Sequence, residues 1–194
     1  MAAAGKGEWV VALTGASGQA YGLRVVSLLA RAAETVHVVA SERAADIARL
    51  ETGAELTAEG LARALGPAGA ERVAVHRWDD WTAPMASGAD PFLGVAVVPC
   101  SMGTLGRVAA GVSGTLIERA VDVALKEGRK VVLVTRETPL NQLHLENMVR
   151  MSRAGAVILP ACPGFYDRPK SLDDLVEFVA RKTVSALGLG LPPL

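Results

Sequence analysis

Arg136 and Glu137 stand side by side in "TRETPL", straight after the apolar run "KVVLV", where chains commonly turn with Gly or Asn. A guanidinium in such a place can grip a phosphate with its fork of donors, and the adjacent carboxylate can move a proton. Other apolar runs open into polar loops of the same kind. "TGASG" offers the backbone N–H groups of Gly15, Ala16 and Ser17 and the Ser17 hydroxyl, and Ser41 ends "TVHVVAS" with a second hydroxyl. "PCSMGTLG" sets Ser101, Met102, Gly103 and Thr104 at the start of a helix, where hydroxyls and orphan amides suit an anion. "PGFYDRPK" holds Tyr166 in a loop bounded by prolines, and Lys182 follows on the last helix, a phenol and a cation suited to a second phosphate. Arg119 and Lys126 share one helix face, with Asp122 spaced to pair with that lysine.

The first loop decides which nucleotide such a set would hold. A dinucleotide fingerprint needs G-x-G-x-x-G and an acid near the end of the second strand. Here the glycines are Gly15, Gly18 and Gly22, and the second strand ends in Ala40-Ser41 with no carboxylate before Glu42. The short-chain dehydrogenase spacing fails as well, at Gln19 and Tyr21. Gly15, Ala16, Ser17 and Ser41 are therefore equipment for a mononucleotide rather than for NAD. His144 and Glu146 lie two apart on a helix and cannot face one way, while His37 and His76 sit in strands. No zinc-like Cys/His spacing exists, and no metal is expected. Cys100 and Cys162 lie in apolar contexts and read as two buried thiols rather than a disulfide.

The elements that must position these residues follow from periodicity. "WVVALTG", "TVHVVAS", "ERVAVHR", "LGVAVVPCS", "KVVLVTRE" and "AVILPAC" read as strands. Between them "YGLRVVSLLARAA", "ERAADIARLETG", "LTAEGLARALG", "GTLIERAVDVALKEG", "LNQLHLENMVRMSRAG" and "SLDDLVEFVARKTVSALG" read as helices. Gly53 and Gly128 stop two of them, Thr57 caps a third, and Ser171 with Asp174 begins the last. Apolar strands alternating with helices predict an α/β fold, a three-layer Rossmann-like (flavodoxin-like) mostly parallel sheet with helices on both faces. Ligands of such sheets gather at the carboxyl ends of the strands, the edge on which all the polar loops fall.

The 194 residues, 51% of them hydrophobic, suit one domain spanning 1–194. Twenty basic and twenty acidic residues cancel, which gives no reason to expect nucleic acid or an anionic membrane as partner. No run approaches a membrane span and no signal core precedes the first strand, so a cytoplasmic protein is expected.

"TGASGQAYGLRVVSLL", "RETPL", "HLENM" and "PGFYDRPK", in that order and spacing, resemble the UbiX-type flavin prenyltransferases over nearly the whole chain. The resemblance implies a flavoprotein that binds reduced FMN as a substrate and needs no metal. Its members attach a dimethylallyl group, from dimethylallyl monophosphate or pyrophosphate, to flavin N5 and C6. The prenylated FMN serves a UbiD-type decarboxylase, and members assemble as dodecamers with active sites where subunits meet. Carried over position by position, Gly15, Ala16, Ser17, Ser41, Ser101, Met102, Gly103, Thr104 and Arg136 contact FMN. Arg119, Lys126, Arg136, Glu137, Tyr166 and Lys182 surround the prenyl phosphate, and Glu137, Ser17, Glu51 and Lys126 carry the catalytic roles. Trp78 and Trp81 supply either an aromatic wall for the prenyl tail or a subunit contact.

The chain departs from the family's pattern at four places. Gly103 stands where a larger residue is frequent, and Gly114-Thr115 stand where Asp-Asn is common. Ala89-Asp90 replace a usual serine and aromatic, and Lys182 replaces the arginine of some relatives, keeping charge without the bidentate fork. These positions bear on prenyl transfer more than on FMN binding. Peptidyl-cysteine decarboxylases are disfavoured, because their Pro-Ala-Ser-Ala-Asn-Thr motif is not apparent. An FMN carrier for a decarboxylase and a redox flavoprotein are the rival readings, and neither needs a second anion site.

Overall fold

The computed structural model describes residues 7–190. Six strands form one all-parallel sheet: β1 (Glu8–Leu13), β2 (Thr35–Ala40), β3 (Val73–His76), β4 (Gly94–Cys100), β5 (Lys130–Thr135) and β6 (Val157–Pro160). Their order across the sheet is β3-β2-β1-β4-β5-β6. The chain winds outward from β1 to one edge, returns to β4 and winds to the other edge. The carboxyl ends of β1 and β4 therefore flank the crevice where the winding reverses.

The Val-rich strands are apolar on both faces because helices cover both. Val11, Leu13, Val36, Val38, Ala96 and Val98 pack beneath α1 (Gln19–Ala32) and α8 (Leu172–Ala186), with α2 (Glu42–Thr52) and α3 (Ala58–Leu65) beside them. Val10, Ala12, Val95, Val97, Val131 and Leu133 pack on the other face against α5 (Met102–Ala109), α6 (Leu116–Lys126) and α7 (Gln142–Arg153). One short turn of helix, α4 (Pro67–Ala70), follows α3. Gly22 lets α1 lie directly on the sheet, since a Cβ there would come within 2.4 Å of the Val98 carbonyl oxygen. Gly53 and Gly128 stop their helices in the left-handed conformation (φ 71° and 67°), and Thr57 caps α3 while Ser171 and Asp174 form a capping box on α8.

Two expectations are corrected. Asp122 pairs with Arg119 at 2.9 Å rather than with Lys126, whose partner is the neighbouring Glu127. Arg119, anchored through Nε on Ala86 O, keeps its Nη1 on Asp122, and Lys126 turns to the carboxylate next to it in the chain. Both cysteines are free, but only Cys100 is buried, with its thiol pushed up to about 12 by burial; Cys162 lies exposed in the loop after the edge strand β6. No helix among the described residues is long and apolar enough to cross a membrane.

Candidate active site

The loops after β1, β2 and β4 enclose a cleft of about 330 Å3 at the reversal of strand order. Gly15, Ser41, Ser101 and Thr104 line it, joined by Arg43, Trp78 and Arg107, to which the sequence reading assigned no phosphate or flavin contact. Ser41 caps α2, accepting from the Ala44 amide at 3.2 Å, and Ser101 caps α5, accepting from the Thr104 amide at 3.3 Å. Two helix N-termini thus point at one cleft, an arrangement that attracts anions. The buried Thr14 hydroxyl ties the two central loops together. It donates to Pro99 O at 2.7 Å and accepts from the Ser101 amide at 2.8 Å.

Within "TGASG" the turn is held from behind. Gln19 is fully buried, and its Nε2 donates to the carbonyls of Thr14 and Ala16, each at 2.8 Å. The Ala16 amide donates to Thr14 O at 2.8 Å, so it is not open to a ligand as the sequence suggested. Glu51 reaches across from α2. Its Oε2 accepts from the amides of Gly18 and Gln19, both at 2.9 Å, and the Ser17 hydroxyl donates to the same carboxylate. Burial pushes the Glu51 carboxyl up, but the bonds from Ser17, Gln19 and Gly18, with Arg136 nearby, together hold it below the ordinary range. Glu51 is therefore an ionised acceptor that aims Ser17, not a proton donor. Tyr21 faces the same Arg136, and burial raises its phenol.

The remaining predicted residues do not join this cleft within one chain. Arg136 and Glu137 leave β5 fully at the surface, where Glu137 Oε1 accepts from the Thr138 amide at 3.0 Å. Arg119 donates from Nε to Ala86 O at 3.0 Å, and Lys126 lies at the far end of α6, beside Gly88. Tyr166 is wholly exposed, and Lys182 lines a separate cleft with Cys162 and Phe178, its Nζ 5.9 Å from the Phe178 ring. Met102 is buried under α5 and Gly103 lies in its first turn, so the helix backbone is what they bring to the cleft. Trp78 belongs to the cleft wall, whereas Trp81 is half exposed outside it. His37 and His76 pair at 2.9 Å, with Glu8 on the other nitrogen of His37 at 3.0 Å. No group of three or more potential metal ligands exists among the described residues.

A family model described as Flavoprotein matches residues 2–184. The flavin prenyltransferase UbiX of Halalkalibacterium halodurans is 46% identical over 185 residues, covering 95% of this chain and 90% of that protein. The chain belongs to the UbiX flavin prenyltransferase family. A second UbiX, from Pseudomonas aeruginosa, is 45% identical over 185 residues, covering 92% of this chain and 88% of that one. Among solved structures, AnUbiX (PadA1) in complex with FMN and dimethylallyl pyrophosphate superposes with a TM-score of 0.85 at 39% identity, covering 95% and 93% of the two chains. A dodecameric FMN-dependent UbiX-like decarboxylase from Escherichia coli O157:H7 gives 0.86 at 36% identity, covering 96% and 98%. The cysteine decarboxylase TvaF, 16% identical with a TM-score of 0.60, shares the fold alone. The donor set of this UbiX-family cleft fits a flavin mononucleotide: hydroxyls and guanidinium groups for a phosphate and a polyol chain, with Trp78 as an apolar wall.

Proposed function

We propose that the protein is a flavin prenyltransferase. It joins a dimethylallyl group from dimethylallyl monophosphate or pyrophosphate to N5 and C6 of reduced FMN, and the prenylated FMN serves a UbiD-type decarboxylase. The observation that carries this is the donor-rich cleft at the strand reversal, whose loop after β1 also carries the Ser17–Glu51 pair with Arg136 near it. Family membership at 46% identity supports the chemistry assigned to it.

Reduced flavin supplies two nucleophilic positions, N5 and C6. The residues must then manage the donor. Its allylic C–O bond breaks as a C–N bond forms, and inorganic phosphate or pyrophosphate leaves with the bonding pair. Arg136, Lys126, Lys182 and the Tyr166 phenol gather on that departing anion, and Arg119 adds charge nearby. Glu137 hands the leaving group a proton; as the ring closes, the remaining C=C takes up a proton at the carbon beside the N5-bound CH2, C6 bonds to the dimethyl-bearing carbon, and Glu137 helps take away the proton that C6 loses. Ser17, aimed by ionised Glu51, orients the flavin edge. The dodecamer of a 36% identical relative supports assembly in which neighbouring subunits bring the exposed Lys126, Tyr166 and Lys182 to the cleft of another copy.

Incubation with reduced FMN and each dimethylallyl donor, followed by weighing of the extracted flavin, tests the proposal. A gain of one five-carbon unit is expected, slowed about a hundredfold or more in Glu137→Gln as for loss of a positioned proton carrier. Flavin that returns unmodified with both donors sinks it in favour of a carrier.

A further inference from the structure

Arg107 lines the cleft beside Ser101 and Thr104. Its guanidinium is fixed at two points: Nε donates to Glu118 Oε1, and Nη2 donates to Thr104 Oγ1 at 3.2 Å. Glu118 is only 1% exposed, and its other oxygen accepts from the amides of Gly114 at 2.8 Å and Thr115 at 3.0 Å. The carboxylate is thus used up inside the protein. The arginine side chain, by contrast, is half exposed, and its Nη1 has no partner among the described residues. A guanidinium carries five N–H donors in a rigid fork. With Nε and one Nη2 hydrogen engaged, the rest remain for a ligand.

Two glycines leave room for this pair. A Cβ on Gly103 would lie 3.4 Å from Arg107 Nη1, and a Cβ on Gly114 would lie 3.3 Å from Glu118 Oε2. A longer side chain at 103 would enter the space in which the open end of the guanidinium lies. Thr115 belongs to the same unit, because its hydroxyl and the Glu118 carboxylate form the capping box of α6. Gly103 and the adjacent Gly114 and Thr115 form one device around one ion pair.

We propose that Arg107 grips the phosphate of bound FMN and sets the preference for FMN over riboflavin, with Glu118 as its positioning residue. This rests on the reading that the cleft receives FMN. A doubly charged phosphate takes a guanidinium N–H pair better than any neutral donor. A fork already held by a buried carboxylate loses little freedom when the anion arrives.

FMN and riboflavin share the ring and ribityl chain and differ in the phosphate, so titrating both by flavin fluorescence isolates this contact. In Arg107→Gln, FMN affinity falls at least about tenfold, the loss of one charged hydrogen bond, while riboflavin affinity is unchanged. Removing Arg107 alone also strands a buried charge on Glu118. The neutral double variant Arg107→Gln/Glu118→Gln is therefore titrated alongside, with ligand-free melting temperatures of all forms. The double variant is expected to recover melting temperature and keep the FMN defect. An FMN-to-riboflavin ratio unchanged from the wild type in both variants overturns the proposal. So does a return of FMN affinity in the double variant, since the arginine would then serve Glu118 only. A wild-type protein that binds neither flavin would instead overturn the flavin reading itself.

Discussion

Glu51 shows how one side chain changes the chemistry of a loop 33 residues away. Its carboxylate takes the Ser17 hydroxyl and the first amides of α1, and these bonds outweigh burial to keep its affinity for a proton low. The sign of the pH dependence follows. A carboxyl whose folded value lies below its unfolded value, near 4.5, contributes stability that is present above that value. The contribution fades as pH falls through the lower folded value. Glu51→Gln is therefore expected to melt below the wild type at neutral pH, with the gap closing as the solution is acidified below about 4.5. Melting curves of the two proteins across this range check it, and a gap independent of pH would count against the ionised assignment.

At the scale of elements, Thr14 is the joint between the two halves of the winding. Its hydroxyl serves a carbonyl 85 residues away and an amide 87 residues away. Thr14→Val keeps the shape and removes both bonds, leaving a buried amide and carbonyl unpaired. A loss of about 1–3 kcal/mol in urea unfolding is expected, together with weaker flavin binding as the loops after β1 and β4 drift apart. Such joints explain what was legible from the sequence and what was not. The strands, the Ser171–Asp174 box and the turns at Gly53 and Gly128 are local, written within a few residues of where they act. Thr14, Gln19 and the Arg107–Glu118 pair are ordinary residues in ordinary contexts until the fold brings their partners to them. In the sequence Gln19 only breaks a dinucleotide spacing, yet in the fold it is the clamp behind the turn. Arg107 carried no signal at all, although the unusual glycine at 103 marked its surroundings.

For the whole molecule, the mismatch between the candidate catalytic set and the single-chain cleft is the main finding. Lys126, Tyr166 and Lys182 are spread over its surface, and α7 exposes Leu143, Leu145 and Val149 with Leu140 just before it. Leu145 and Val149, four apart, share one exposed apolar face of α7, the kind of patch that marks an interaction surface. Sedimentation is expected to show an oligomer, and Leu145→Glu/Val149→Glu to dissociate it. The dissociated form should lose prenyl transfer at least about a hundredfold, as expected when positioned charges leave the transition state. It should also retain the FMN-to-riboflavin preference, which needs one chain's cleft alone. Transfer at the wild-type rate by the dissociated protein would show that one chain suffices.

The tether between Glu51 and the start of α1 also explains a refusal. In dinucleotide enzymes the pyrophosphate sits on the amides that open the first helix. Here those of Gly18 and Gln19 already hold an anion, and that anion belongs to the chain. An incoming pyrophosphate would have to evict a covalently attached rival, present at a far higher effective concentration than any free cofactor. The two amides that a dinucleotide's pyrophosphate would use are thus already engaged, in keeping with a cleft for a mononucleotide.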